Sequence, residues 1–202
     1  MLYFHNQKLV LFATPKTGST ALEKALAPFA DIVLQGDPRI KHCTFQRYKW
    51  RMEKFIQIFE DDVPQTAALI RDPLDWLGSW FRFRQGHWLE GTVRSTRGLS
   101  FDQFVEGYLS ERQPAFAAVG QQAKFLTHPK TGETVDHLYR YEAMPEFVAF
   151  LEARLGKKIV LERINVSLDR QISLAPALQQ RLEHFCAEDY TLHASAQGRP
   201  PC

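Results

Sequence analysis

The chain has 202 residues, of which 45% are hydrophobic and 24% charged, and its formal net charge is +2. That length suits one domain with a core of its own, and the composition is ordinary for a soluble globular protein. A charge this small argues against a nucleic-acid-binding protein, so basic residues must act locally.

Cysteine occurs only at 43, 186 and 202, an odd set with no metal-ligand spacing. This argues against a disulfide framework and fits a reducing compartment. The first residues, MLYFHNQKLVLFATPK, hold a short apolar run with no basic segment before it. It is too short to span a bilayer and has no signal-cleavage pattern. The expectation is a cytoplasmic protein with no membrane partner.

In chain order, Lys8–Thr14 reads as a buried central strand, broken at Pro15 and Gly18. Ser19–Ala27 reads as a helix, and Ile32–Leu34 as a second short strand. From Thr44 to Phe59, apolar residues at Phe45, Tyr48, Met52, Phe55, Ile56 and Phe59 fall on one helical stripe. Thr66–Ile70 is another buried strand. Asp72–Phe83 reads as a helix with Asp72 as N-cap and Pro73 in the first turn. Arg84–Leu99 lacks periodicity and reads as a loop. Helix Phe101–Leu109, strand His137–Tyr141, helix Met144–Leu155 ended by Gly156, strand Lys158–Ile164 and helix Ala175–Asp189 complete the series. Residues 194–202 are expected to be a flexible tail after a domain spanning 1–193. Strands alternating with helices predict an α/β fold, a central parallel sheet flanked by helices. Such sheets bind ligands at the carboxyl ends of their strands.

Two segments lie at such ends. Thr14-Pro15-Lys16-Thr17-Gly18-Ser19-Thr20 leaves one strand and opens a helix. Free N–H groups and the dipole at a helix start suit an anion, Gly18 permits close approach, and Lys16 adds a mobile charge. The usual nucleoside-triphosphate loop requires a glycine to open the turn and a lysine after the last glycine, and neither is present. A strand–turn–helix junction with an N-cap serine would also explain the segment. The second segment, Ile70-Arg71-Asp72-Pro73-Leu74-Asp75-Trp76-Leu77-Gly78-Ser79, sets Arg71 at a strand end and Ser79 about two turns into the following helix.

Together these segments resemble the 5′-phosphosulfate loop and the 3′-phosphate signature of sulfotransferases that use 3′-phosphoadenosine 5′-phosphosulfate. The resemblance implies a P-loop-like strand–loop–helix site in which Lys16, Thr17, Gly18, Ser19 and Thr20 hold the 5′-phosphosulfate. Arg71 and Ser79 would hold the 3′-phosphate. Tyr141, in Tyr139-Arg140-Tyr141-Glu142, matches the family's tyrosine near the adenine and is otherwise a half-buried strand side chain. Segments 95–101 and 163–167 also resemble bacterial members. The late Arg-Lys-Gly phosphate clamp of many cytosolic members is absent, and Arg163, Asn165 or Ser167 is the candidate replacement.

The implied reaction moves a sulfuryl group to a hydroxyl of a saccharide or small-molecule acceptor, with no metal, and leaves 3′-phosphoadenosine 5′-phosphate. His42, in Lys41-His42-Cys43-Thr44, resembles the catalytic base, and Lys16 is the catalytic cation. Glu53 and Glu23 are reserve bases. Cys43 reads as a packing residue rather than a nucleophile. His87, Trp88, Arg94 and Arg97 are expected to border the acceptor. A nucleotide or nucleoside kinase with a degenerate phosphate loop, and a non-catalytic nucleotide-binding module, are the alternatives.

Overall fold

The computed structural model describes residues 1–162 and 173–198. The N-terminal apolar run forms two strands rather than one. Strands β1 (Leu2–Phe4) and β2 (Leu9–Leu11) pair antiparallel, turning through His5–Lys8, where Lys8 N–H donates to the His5 carbonyl at 2.9 Å. Strand β3 (Ile32–Val33) also pairs antiparallel with β1. Strands β4 (Gln65–Ile70) and β5 (His137–Arg140) are parallel to each other and to β2, giving the order β3-β1-β2-β4-β5. The sheet is therefore mixed, which corrects the all-parallel expectation. Connections this short before β2 can only reverse the chain, whereas parallel neighbours need long crossovers. The long connections before β4 and β5 provide them.

Alternation along the strands divides the core. Phe4, Leu9, Leu11 and Leu69 face helix α1 (Ser19–Leu26) and helix α8 (Met144–Leu155), meeting Leu22, Leu26, Phe147 and Leu151. Tyr3, Val10, Phe12 and Ile70 face the opposite side and meet Phe45, Tyr48, Ile56 and Leu126. With both faces covered, these strands are apolar throughout. The short helices α2 (Pro38–Lys41) and α3 (Phe45–Arg47), a π-helical turn at Tyr48–Met52, and α4 (Glu53–Ile56) cross the second face. The regular helix expected there is interrupted by the π turn. A short helix α7 (Gln122–Leu126), which no periodicity announced, closes this layer.

Beyond the sheet, α5 (Pro73–Arg84), α6 (Phe101–Leu109) and α9 (Pro176–Phe185) share a third cluster around Trp76, Phe81, Phe104, Tyr108 and Leu182. Asp72 caps α5 as its sequence predicts, accepting from Asp75 N–H at 3.0 Å. Gly156 ends α8 in the left-handed region at φ 61°. The single C-terminal helix expected at Ala175–Asp189 is instead α9 followed by α10 (Ala187–Ser195), broken at Cys186.

No strand forms over residues 158–162; the Ile159 N–H is taken by the Glu152 carboxylate at 2.8 Å. Residues 163 and 164 of that expected strand, and the candidate residues Arg163, Asn165 and Ser167, lie outside the described residues. Ala194–Gly198, expected to be loose, runs beside β5. Gln197 N–H donates to the Leu138 carbonyl at 2.8 Å, and Arg140 N–H donates back to Gln197 at 2.9 Å.

Phe147 is fully buried between the sheet and α8, whereas Phe59 is 65% exposed. Phe147→Ala should cost about 3–5 kcal/mol. Phe59→Ala should stay within about 0.5 kcal/mol of the parent chain. Urea midpoints of the two variants check the difference.

Candidate functional site

The loop from Thr14 to Thr20 leaves the carboxyl end of β2 and enters α1. Two of its residues have positive φ, Lys16 at 66° and Gly18 at 73°. Gly18 needs no justification there, but a lysine in the left-handed region costs energy and must be held. Three hydrogen bonds hold it. Thr17 Oγ1 donates to the Thr14 carbonyl at 3.0 Å, Trp76 Nε1 to the Pro15 carbonyl at 2.9 Å, and Arg71 Nη1 to the Lys16 carbonyl at 3.1 Å. Gly18 is the N-cap of α1, with no side-chain cap hydrogen bond and no acid in the first turn. The helix start thus keeps its partial positive charge uncompensated by any side chain of its own. Thr17, 1% exposed, spends its hydroxyl on the loop.

Arg71 follows β4 and joins the second segment to the first. Its backbone is gripped by one amide: Gln122 Oε1 accepts from Arg71 N–H at 3.0 Å, and Gln122 Nε2 donates to the Arg71 carbonyl at 2.7 Å. Gln122 and Ala123 in turn donate their N–H groups to the Asp189 carboxylate at 3.2 and 2.7 Å. The Arg71 guanidinium reaches Lys16, pairs with Asp75 at 2.6 Å, and lies 4.4 Å over the Tyr141 ring. A Cβ on Gly18 would stand 3.5 Å from that same ring and 3.2 Å from the Met144 methyl. Lys16, Gly18, Arg71 and Tyr141 therefore form one cluster. Ser79, 5% exposed, is on α5, three residues before Arg82.

Charge is unbalanced here. Arg71 and Arg82 share the Asp75 carboxylate, Arg82 at 3.7 Å. Lys16 has no acidic partner among the described residues; its ammonium lies 4.1 Å from the Phe83 ring centre and 5.6 Å from that of Trp80. Burial, then the charges of Arg71 and Arg82, lower its pKa to about 8. Thr14 Oγ1 and Arg82 Nε are buried with no hydrogen-bond partner among the described residues. Unpaired buried polar groups are costly, and here two arginines share one carboxylate while the Lys16 ammonium has only ring faces, which leaves an excess of positive charge that an anion would answer.

His42 closes the other side of the loop. Its Nδ1 lies 2.6 Å from the Ala13 carbonyl, which can only accept, so Nδ1 carries the proton and neutral Nε2 keeps a lone pair. Burial depresses its pKa; the Ala13 hydrogen bond opposes this in part, and Lys41 adds to the depression. Lys41 reaches Thr20 Oγ1 and Glu23, both at 3.2 Å. Glu23 thus stays near the loop. Glu53 does not: it is bound to Lys49 at 2.6 Å and lines a cavity of about 220 Å³ with Pro64, Thr66 and Asp136. That cavity is at the amino end of β4, about 20 Å of strand from Arg71. Glu53 is thereby removed as a reserve base. Burial raises the Cys43 thiol pKa, which suits packing rather than attack.

The loop after α5 meets the site through aromatic rings. Phe83, which carries the Lys16 ammonium, lies 5.5 Å from Trp88. Arg97 is tied to its own loop, to Glu90 at 2.6 Å and the Gln85 carbonyl at 2.8 Å.

Sequence reasoning missed Arg82, Trp76 and Gln122. Arg82 was within reach, since it lies seven residues from Asp75 and three from Ser79 on a helix already predicted, hence on one face. Gln122 left no local signal; its partner is 51 residues away. Comparison of the chain with protein-family profiles, with characterised proteins and with solved structures finds no match.

Between pH 8 and the ordinary lysine range, the unfolded chain holds a proton that folded Lys16 has released. Folding stability should therefore rise with pH across that window. Lys16→Met should flatten the rise, which urea unfolding at pH 7, 8, 9 and 10 measures. Parallel curves for the two proteins would refute the buried-cation reading.

Proposed function

We propose that this protein is a sulfotransferase that uses 3′-phosphoadenosine 5′-phosphosulfate. The observation that carries the reading is the meeting of the two segments: Arg71 and Arg82 share the single Asp75 carboxylate, and Arg71 also binds the carbonyl of Lys16, whose ammonium has no acidic partner among the described residues, at the carboxyl ends of β2 and β4 and beside the uncapped start of α1. A doubly phosphorylated nucleotide needs two cationic sites, and two separated sequence signatures meet here. The uncapped helix start and Lys16 fit the 5′-phosphosulfate. Arg71, with Ser79 and Arg82 on α5, fits the 3′-phosphate. Tyr141, stacked under Arg71, offers a ring face for the adenine. The nucleotide supplies an activated sulfuryl group, and the chain supplies position, charge and a base.

His42 Nε2 takes the proton of the acceptor hydroxyl as its oxygen bonds to sulfur, while the bond from sulfur to the 5′-phosphate oxygen breaks. Lys16 and the α1 start stabilise the charge that gathers on that phosphate. The Ala13 carbonyl keeps Nε2 in its accepting tautomer. Phe83 and Trp88 border the side from which the acceptor enters. The acceptor itself, a saccharide or another hydroxyl compound, is part of the proposal.

Isothermal titration with 3′-phosphoadenosine 5′-phosphate, adenosine 5′-phosphosulfate and magnesium–ATP tests the reading. The bisphosphate should bind tightest, and preference for magnesium–ATP would favour the kinase alternative. Arg71→Ala should weaken the bisphosphate by about 2–3 kcal/mol, as loss of a charge-assisted contact does. Adenosine 5′-phosphosulfate, which lacks the 3′-phosphate, should be affected far less; equal losses would make Arg71 purely structural.

His42→Ala should leave nucleotide affinity nearly unchanged and slow transfer by about 10²–10⁴-fold, the usual contribution of a positioned base. Because burial lowers the His42 pKa, the acid limb of the parent rate profile should fall below the ordinary histidine value of about 6.5. Radiolabelled sulfate transfer across pH 5–8 reads both. Persistence of that limb in His42→Ala would remove His42 from the mechanism.

A further inference from the structure

The apolar stripe over Thr44–Phe59 does not all reach the core. Phe45, Tyr48 and Ile56 are buried, but Phe55 is 46% and Phe59 65% exposed. The π-helical turn at Tyr48–Met52 accounts for this. A π turn holds an extra residue, so everything after it is rotated by about one residue, roughly 100°. The rotation brings Glu53 inward, where it is 9% exposed and pairs with Lys49, and turns Phe55 and Phe59 outward.

Outside, they join Trp50 at 52% and Ile58 at 72% exposed, and the Phe55 and Phe59 rings meet at 5.5 Å. The other exposed residues from 47 to 59 are Arg47, Arg51, Lys54 and Gln57. The exposed face of this segment thus presents large apolar side chains and cations, and no acid. Three acids follow: Glu60 is turned in to Tyr3 and His5, Asp62 pairs with Lys8 at 2.7 Å, and Asp61 is exposed at the end of the segment, beyond Phe59. A protein partner's apolar patch would leave three cations unanswered. An anionic bilayer surface answers both features: aromatic and aliphatic side chains enter the headgroup boundary while the cations meet lipid phosphates.

We propose that the face formed by Trp50, Arg51, Lys54, Phe55, Ile58 and Phe59 is a peripheral docking surface for anionic lipid. Among the described residues no helix is long and apolar enough to cross a membrane. Such docking reverses the expectation of no membrane partner and is independent of the transferase reading.

The test is co-sedimentation of the full chain with vesicles of equimolar phosphatidylglycerol and phosphatidylcholine, against pure phosphatidylcholine, at 0.05 and 0.5 M salt. Binding should require phosphatidylglycerol and weaken at high salt, because screening shortens the reach of the cations. Arg51→Gln/Lys54→Gln should lower partitioning about thirty-fold, at about 1 kcal/mol per charge. Phe55→Ser/Phe59→Ser should also lower it, and a vesicle-induced blue shift of tryptophan emission should vanish in Trp50→Phe. All these positions are exposed; should the serine variant fold poorly by circular dichroism, the glutamine variant and Trp50→Phe decide. The proposal is overturned by absence of sedimentation, by equal binding to neutral vesicles, by parent-like binding of the variants, or by a concentration-dependent dimer that buries this face and excludes vesicles.

Discussion

Arg71 is the constraint on which the site depends. It stands where β4 ends, its backbone clasped by Gln122 and its guanidinium spread over the Lys16 carbonyl, Asp75 and the Tyr141 ring. One side chain thereby joins the loop after β2, the first turn of α5 and the turn after β5. Each contact is short range, yet the partners come from four separate parts of the chain. The left-handed backbone at Lys16 persists because this bond and those from Trp76 and Thr17 leave the loop few alternatives.

Support behind Arg71 runs outward in layers. Asp189 on α10 anchors the start of α7, and α7 delivers Gln122. Glu142 accepts from Asp72 N–H at 2.9 Å and meets His193 at 3.0 Å. Burial would raise the Glu142 carboxyl, but these hydrogen bonds outweigh it and hold its pKa below the ordinary value. Arg140 donates to the carbonyls of His193, Ala194 and Gly198, fastening the end of α10 to β5. The C-terminal helices thus have a part in the site without lining it: they keep the strand-end segments from drifting apart. Cations held near one another repel unless their backbones are fixed, and this frame fixes them.

The π turn shows how one residue redistributes a surface. Without it, Phe55 and Phe59 would continue the stripe of Phe45, Tyr48 and Ile56, and Glu53 would face solvent. With it, an acid is drawn in to Lys49 and two aromatic rings are turned out among Arg51 and Lys54. The core on that side closes instead on Phe12, Phe45 and Tyr48, whose rings meet edge to face or tilted within 6.3 Å.

Sequence alone determined what rests on neighbours in the chain. Asp72 before Pro73, Ser100 three residues before Gln103, and Gly156 after Leu155 set the ends of α5, α6 and α8 through local hydrogen bonds and φ preferences. The apolar runs read as strands at Lys8–Thr14 and Thr66–Ile70 contain Leu9–Leu11 and nearly all of Gln65–Ile70, and the residues following them announced the candidate loop and Arg71. Strand direction was not determined this way, since a buried strand has the same composition in either orientation; the tight turn at His5–Lys8 decided it. Nor was the phase of the Tyr48–Met52 turn, because α and π windings differ by a residue that no side-chain pattern marks. The assembly of the site belongs to the tertiary structure for the same reason. Lys16, Arg71, Gln122 and Tyr141 are far apart in the chain, and only closure of the sheet and docking of α7 bring the Lys16 carbonyl and the Gln122 amide within about 3 Å of Arg71 and set the Tyr141 ring 4.4 Å from its guanidinium.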